Sequence, residues 1–181
     1  MGPVQEAMPG IASDVQSEAG PAALLDGARR EAMARAGRLL ATRPRTEKEL
    51  SDRLAGAGFE PAVVAAALDR LRGLGLVNDE DFAVQWVEER STRKKLSARA
   101  LLHELHGKGV PADVAEAALE KAGLDEGTQA TELAARYARR VATKPLREQF
   151  TRIQQMLTRR GYSFEVAEAA ARKVLPPEGW D

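Results

Sequence analysis

The feature that most constrains this chain is that it repeats itself. Three segments, "GAGFEPAVVAAALDRL", "GKGVPADVAEAALEKA" and "TRRGYSFEVAEAAARKV", align on Gly58, Gly109 and Gly161, which stand 51 and 52 residues apart. One residue later come Phe59, Val110 and Tyr162, and five after each glycine come Val63, Val114 and Val166. Four before it stand Leu54, Leu105 and Leu157, and eight before it Leu50, Leu101 and Ile153. Upstream, Phe82, Ala83 and Trp86 match Leu133, Ala134 and Tyr137, with Ala36, Gly37 and Leu40 as weaker counterparts in the first unit. A period near 50 marks tandem modules, each a single supersecondary unit that leans on its neighbours.

Each unit reads as three helices. The i, i+4 pairs Leu50/Leu54, Leu101/Leu105 and Ile153/Leu157 line one face of a second helix. The glycine that follows suits a left-handed helix stop. A third helix starts near Pro61, Pro111 and Ser163, residues suited to a first turn or an N-cap. Thr46-Glu47-Lys48-Glu49 matches a capping box, and Ser97 holds the equivalent place in the second unit. In "GLVNDEDFAVQWVEERSTRKK", Asn78 is the N-cap and Asp79 to Asp81 meet the positive end of a helix dipole. Arg90 to Lys95 meet its negative end, and Phe82 and Trp86, four apart, are expected to share a buried face. One amphipathic helix explains the stretch without a catalytic carboxylate pair.

Ala, Leu, Glu and Arg dominate, β-branched residues are sparse and no alternating run appears, so the expected fold is all-α with no sheet. The expected organisation is a disordered tail at 1–22, three-helix repeats at 23–76, 77–124 and 125–176, and a short tail at 177–181 in which Trp180 is able to fold back. A unit of about 50 residues buries little of its surface and is marginal alone. Stacking is therefore expected to bury the unit ends and to leave the molecule elongated.

Several chemistries are excluded by composition. The chain has no cysteine, hence no disulfide or thiol chemistry. Its two histidines, His103 and His106, sit in "HELH", which is not the HExxH zinc pattern. "GLG" at 73–75 lacks the Lys-Ser/Thr partner of a phosphate loop. No nucleophile triad can be assembled, so the expectation is a binding protein that uses no enzyme chemistry, metal or cofactor. No apolar run reaches a membrane span and the N-terminal stretch lacks the pattern of a secretory signal, which leads to a cytoplasmic expectation.

Net charge is zero, but it is uneven: −4 over 1–26, +4 over 27–76, −4 over 77–126 and +4 over 127–181. Bases recur at the turn between helices one and two: Arg43 and Arg45, then Arg93, Lys94 and Lys95, then Lys144 and Arg147. The third unit adds Arg136, Arg139, Arg140, Arg152, Arg159 and Arg160. Repeated along one edge, such bases suit phosphates or an acidic protein surface. "TEKELSDRLAGAGFEPAVVAAALDRLRGLGLV" also reads as a DNA-binding helix-turn-helix with a wing, but "NDEDF" begins a new helix where the wing would be. The Ala-rich third helices also offer few side chains to read bases.

"RPRTEKELSDRLAGAGF", "ALDRLRGLGLVNDEDFAVQWVEER" and "KKLSARALLHELHGKGV" resemble the RecX family, regulators of the recombinase RecA. The likeness spans about 35 to 175. Its most diagnostic residues are Gly75-Leu76, the acid run, Phe82-Ala83, Trp86 and Arg90, then Leu105, Lys108 and Gly109. The resemblance implies tandem three-helix repeats in a curved, elongated monomer that lies in the groove of the RecA–single-stranded DNA filament. It implies inhibition of ATP hydrolysis, strand exchange and LexA cleavage, hence a part in homologous recombination, DNA repair and the SOS response, without a cofactor. The expected partner-binding set is Arg43, Arg45, Arg90, Arg93, Lys94, Lys95, Arg99, Lys108, Arg136, Arg139, Arg140, Lys144, Arg147 and Arg152, with direct contact to single-stranded DNA possible. The rivals are a protein that covers free single strands, which needs exposed aromatics where Phe82, Trp86 and Tyr137 read as buried, and a helical scaffold for some other partner.

Overall fold

The computed structural model describes residues 21–176, and among these it contains nine α-helices and no strand. The expectations for the N-terminal tail, the last residues and Trp180 fall on or run into 1–20 and 177–181, outside the described residues. The helices form three units of three: α1 (Pro21–Leu40), α2 (Glu47–Ala55) and α3 (Pro61–Gly73); α4 (Asp79–Arg93), α5 (Ala98–Gly107) and α6 (Ala112–Ala122); α7 (Glu126–Val141), α8 (Leu146–Thr158) and α9 (Phe164–Val174). In each unit the first and third helices pack against each other and the second closes the triangle.

Local chemistry explains the helix starts. The Thr46 hydroxyl accepts from Glu49 N at 3.1 Å, Ser97 Oγ from Ala100 N at 3.2 Å and Ser163 Oγ from Val166 N at 3.2 Å. Asn78 Oδ1 accepts from Glu80 N and Asp81 N. Each cap satisfies donors that a helix end leaves without intrahelical partners. Each second helix ends in the same turn: Phe59 N, Val110 N and Tyr162 N donate back to Leu54 O, Leu105 O and Leu157 O. The turn needs positive φ at the residue between, which is +89° at Gly58, +80° at Gly109 and +93° at Gly161.

Each unit encloses its own apolar core. The first is built on Ala32, Ala36, Leu50, Leu54, Val63, Val64, Ala67 and Leu71, and is closed by Val77 from the link to α4. Phe82, Ala83, Val87, Leu101, Leu105 and Val110 form the second. Leu133, Ile153, Met156, Leu157 and Tyr162 form the third, with Ala130, Ala134, Ala167, Ala170 and Ala171 letting α7 and α9 approach closely. These three cores do not merge, although the seams between units are buried as expected, with Thr46 and Ser97 almost fully covered. The physical reason is that the unit ends are made of helix termini and turns, whose unpaired backbone groups demand hydrogen bonds.

The units are joined by polar contacts that follow one plan at both junctions. The first turn of a unit's second helix seats on the glycine turn of the next unit. At the first junction the Thr46 hydroxyl donates to Lys108 O at 2.7 Å and Glu47 N donates to Asp79 Oδ1 at 2.9 Å. At the second, Ser97 N donates to Arg160 O at 3.1 Å and Ala98 N to Glu126 Oε1 at 2.6 Å. Arg99 Nε reaches Gly161 O at 3.1 Å, and Arg160 Nε reaches Lys94 O at 3.3 Å. Thr46 and Ser97 are consequently 0% and 1% exposed although both are polar. Among the described residues, every cross-unit hydrogen bond and ion pair joins neighbouring units, and none joins the first to the third.

The third unit breaks the pattern. Twelve residues before its glycine stands Gln149 in place of a hydroxyl cap. Its helix α8 starts a turn earlier, after Pro145, so Gln149 N donates inside the helix to Pro145 O at 3.0 Å.

The glycines should report this arrangement in thermal melts. A Cβ at Gly58 meets nothing within 4 Å, whereas one at Gly161 lands on Ser97 Oγ and Ala100 Cβ, and one at Gly109 on the Lys48 side chain. Gly58→Ala should cost only the roughly 1–2 kcal/mol of left-handed strain. Gly161→Ala should cost that plus about 1–3 kcal/mol of overpacking at the junction. The expected order of melting temperature, followed by circular dichroism, is parent, then Gly58→Ala, then Gly161→Ala.

Candidate partner interface

Each junction leaves a groove beside it, and the two grooves are related by the repeat. The first, about 180 Å³, is lined by Arg43, Pro44, Phe82, Gln85, Trp86 and Glu89. The second, about 390 Å³, is lined by Arg93, Lys95, Leu133, Arg136, Tyr137, Arg140, Met156, Arg159 and Arg160. Phe82, Gln85, Trp86 and Glu89 correspond to Leu133, Arg136, Tyr137 and Arg140, each 51 residues on. At two matching places a neutral amide and an acid have become arginines. The second groove is therefore walled by six cations and no acid.

Trp86 departs from expectation. Phe82 is buried, but Trp86 is half-buried, because its place on α4 lies toward the first junction, where Arg43 and Pro44 stand opposite. Its ring stacks on Phe82 at 5.6 Å, and its Nε1 donates to Glu104 at 2.8 Å. The Arg90 guanidinium and the Lys108 ammonium lie 4.0 and 4.2 Å from the indole centroid, within range of cation–π attraction. Tyr137 is also half-buried, at the wall of the basic groove, so neither ring is the fully buried residue the spacing suggested.

Several of the expected contact residues hold the protein together. Arg43 forks onto Glu49 at 3.1 and 3.2 Å, and Lys108 reaches the same carboxylate from the second unit at 2.9 Å. Burial pushes Glu49 up, but the hydrogen bonds from Arg43 and Lys108 and their charges outweigh it, and its carboxyl lies below the usual range. Arg45 donates to Leu39 O, Arg99 to Gly161 O, and Arg90 lies 3.6 Å from Glu104. Lys144 and Arg152 both pair with Glu148.

Other members of the set converge on the second groove. Arg93, Lys95, Arg136 and Arg140 line it, joined by Arg159 and Arg160 from the turn after α8. Arg93 pairs with exposed Glu89 at 3.4 Å and Lys95 with Glu132 at 3.5 Å. Among the described residues, Arg136, Arg140 and Arg159 form no ion pair. Lys94, Arg139 and Arg147 are exposed outside the groove lining. Arg159 and Arg160, counted among the third unit's bases in the sequence though not in the expected contact set, belong to this wall.

Tyr162 ties the third unit to Lys95, one of the groove's lining residues. This ring is 0% exposed, and its hydroxyl donates to Lys95 O at 3.0 Å. Lys95 itself adopts φ +52°, the one left-handed residue other than glycine among those described. Burial, with the nearby Glu126 charge, pushes the Tyr162 phenol up to about 12.

Three family models match the chain: the first three-helix domain of RecX over residues 32–71, the second over 78–119 and the third over 125–171. "Regulatory protein RecX" of Mycobacterium avium is 42% identical over 134 residues, which cover 72% of this chain and 76% of that protein. The protein of the same name in Thermobifida fusca is 37% identical over 145 residues, 78% and 77% of the two chains. The crystal structure of RecX from Lactobacillus salivarius superposes with a TM-score of 0.73 at 22% identity, covering 82% of this chain and 97% of that one. A second crystal structure, of a regulatory protein RecX, gives 0.71 at 25% identity, covering 81% and 73%.

A phenol raised in the folded state supports folding below its unfolded value of about 10, and that support disappears as pH rises through the folded value. The stability advantage of the parent over Tyr162→Phe, from denaturant titrations, should be constant up to about pH 10. It should fall as pH is raised from there through about 12.

Proposed function

Because this chain belongs to the RecX family, we propose that it regulates RecA by lying in the groove of the RecA–single-stranded DNA filament. There it restrains ATP hydrolysis, strand exchange and LexA cleavage by binding, as a monomeric cytoplasmic protein without catalysis of its own. The observation that carries the reading is the match to all three RecX domains in order, along nearly the whole described chain.

The arrangement of units supplies the physical means. A row of three modules presents successive surfaces to a long partner, and several modest contacts on a stiff support add in effect. In this reading Arg136, Arg140 and Arg159 are the main charge contacts. They have no internal ion pair among the described residues, so docking breaks no bridge there. Lys94, Arg139 and Arg147 add exposed charge nearby, while Arg43, Arg45, Arg90, Arg99 and Lys108 act by holding the units in place.

A second reading, direct contact with the DNA strand, is favoured by Tyr137 beside six cations, a combination suited to a base and its phosphates. Trp86 does not serve in the same way, because cations lie against its ring.

Co-sedimentation with RecA filaments, with RecA alone and with bare single-stranded DNA separates these readings. Filament binding is expected to exceed binding to the other two, and equal binding to bare DNA would transfer the role to the second reading. Arg136→Glu with Arg140→Glu should weaken filament binding by about ten-fold or more and flatten its salt dependence. The melting temperature should remain that of the parent.

A further inference from the structure

The two junctions show what binds the glycine turn of a unit: a helix amino terminus opened by a buried Ser or Thr. The first unit has the same turn, and among the described residues nothing is seated on it. A Cβ at Gly58 has no neighbour within 4 Å, while Gly109 and Gly161 are crowded by the preceding unit. Phe59 is only half-buried, whereas its counterparts Val110 and Tyr162 are 3% and 0% exposed. Lys108 O and Arg160 O accept bonds across their junctions, and among the described residues Ala57 O accepts none.

We propose that the turn Ala57-Gly58-Phe59 is a docking surface for a partner protein, which it takes by a helix amino terminus with a Ser or Thr cap. The cap would donate to Ala57 O, its first turn would occupy the gap over Gly58, and adjoining apolar side chains would cover Phe59. The internal junctions provide two examples of this contact in the same molecule. A second copy does not offer the matching end, because Thr46 and Ser97 are covered within the chain and Gln149 N is bonded to Pro145 O. The proposal is independent of whether the larger partner is a filament.

The test uses the full chain, labelled with ¹⁵N, and an acetylated peptide of residues 96–108 held helical by a side-chain lactam on its outer face. Amide shifts centred on Ala57, Gly58 and Phe59 are expected to saturate below about 1 mM peptide. Replacing Ser97 by Pro in the peptide should weaken this at least about ten-fold, since the hydroxyl and the cap N–H are both lost. In the chain, Gly58→Asn keeps a residue that tolerates the left-handed turn but fills the gap, and should abolish the response while the remaining spectrum overlays. No response at the turn, an equal response to the Pro peptide, or a response unaffected by Gly58→Asn would overturn the proposal. Shifts at these three amides that grow with protein concentration alone would assign the surface to a second copy and overturn the partner assignment.

Discussion

A helix cannot bond its own first backbone donors, and the architecture of this protein follows from where those donors are sent. In α2 and α5 they are divided between a side-chain cap and the adjoining unit. Thr46 serves both sides at once, accepting from Glu49 N and donating to Lys108 O. A directional bond of this kind sets orientation as well as attraction, which apolar contact alone does not. It also ties the two partners' identities together: the helix needs a small hydroxyl residue, and the opposing turn needs a residue without a side chain.

The three cores can then remain small and separate. A module of about 50 residues is near the lower limit for independent folding, so coupling through shared hydrogen bonds gives each unit part of its stability from the next. Breaking such a bond leaves buried polar groups unpaired, and that penalty is typically larger than the net value of the bond itself. The grooves are a by-product of the same geometry. Two helical units joined at one corner leave a cleft beside the joint, and substitution on its walls changes its chemistry without disturbing the joint. Gln85 and Glu89 against Arg136 and Arg140 illustrate that freedom.

Much of the fold was legible in the sequence. The repeat located the units, and Thr46, Asn78, Ser97 and Ser163 marked four helix starts. All of these are local signals, readable within a turn or two. The junctions were not legible, because they join residues far apart in the chain, often through backbone atoms, as in Thr46 to Lys108 and Ser97 to Arg160. For the same reason the basic residues looked alike. Nothing near Lys108 in the chain announces that Glu49 holds it, and nothing near Arg136 announces that it has no such partner. Helical spacing put Trp86 on the same face as Phe82, where it packs against the second core, but spacing does not tell what stands opposite its edge.

The early start of α8 bears on how such a protein can lengthen over generations. Duplicating a module at the carboxyl end would place the newcomer against a helix whose corresponding amide is already bonded, and it would hang loose. Insertion in the interior or ahead of the first module meets no such obstacle. Growth by tandem duplication thus has a permitted direction, set by a single turn of helix.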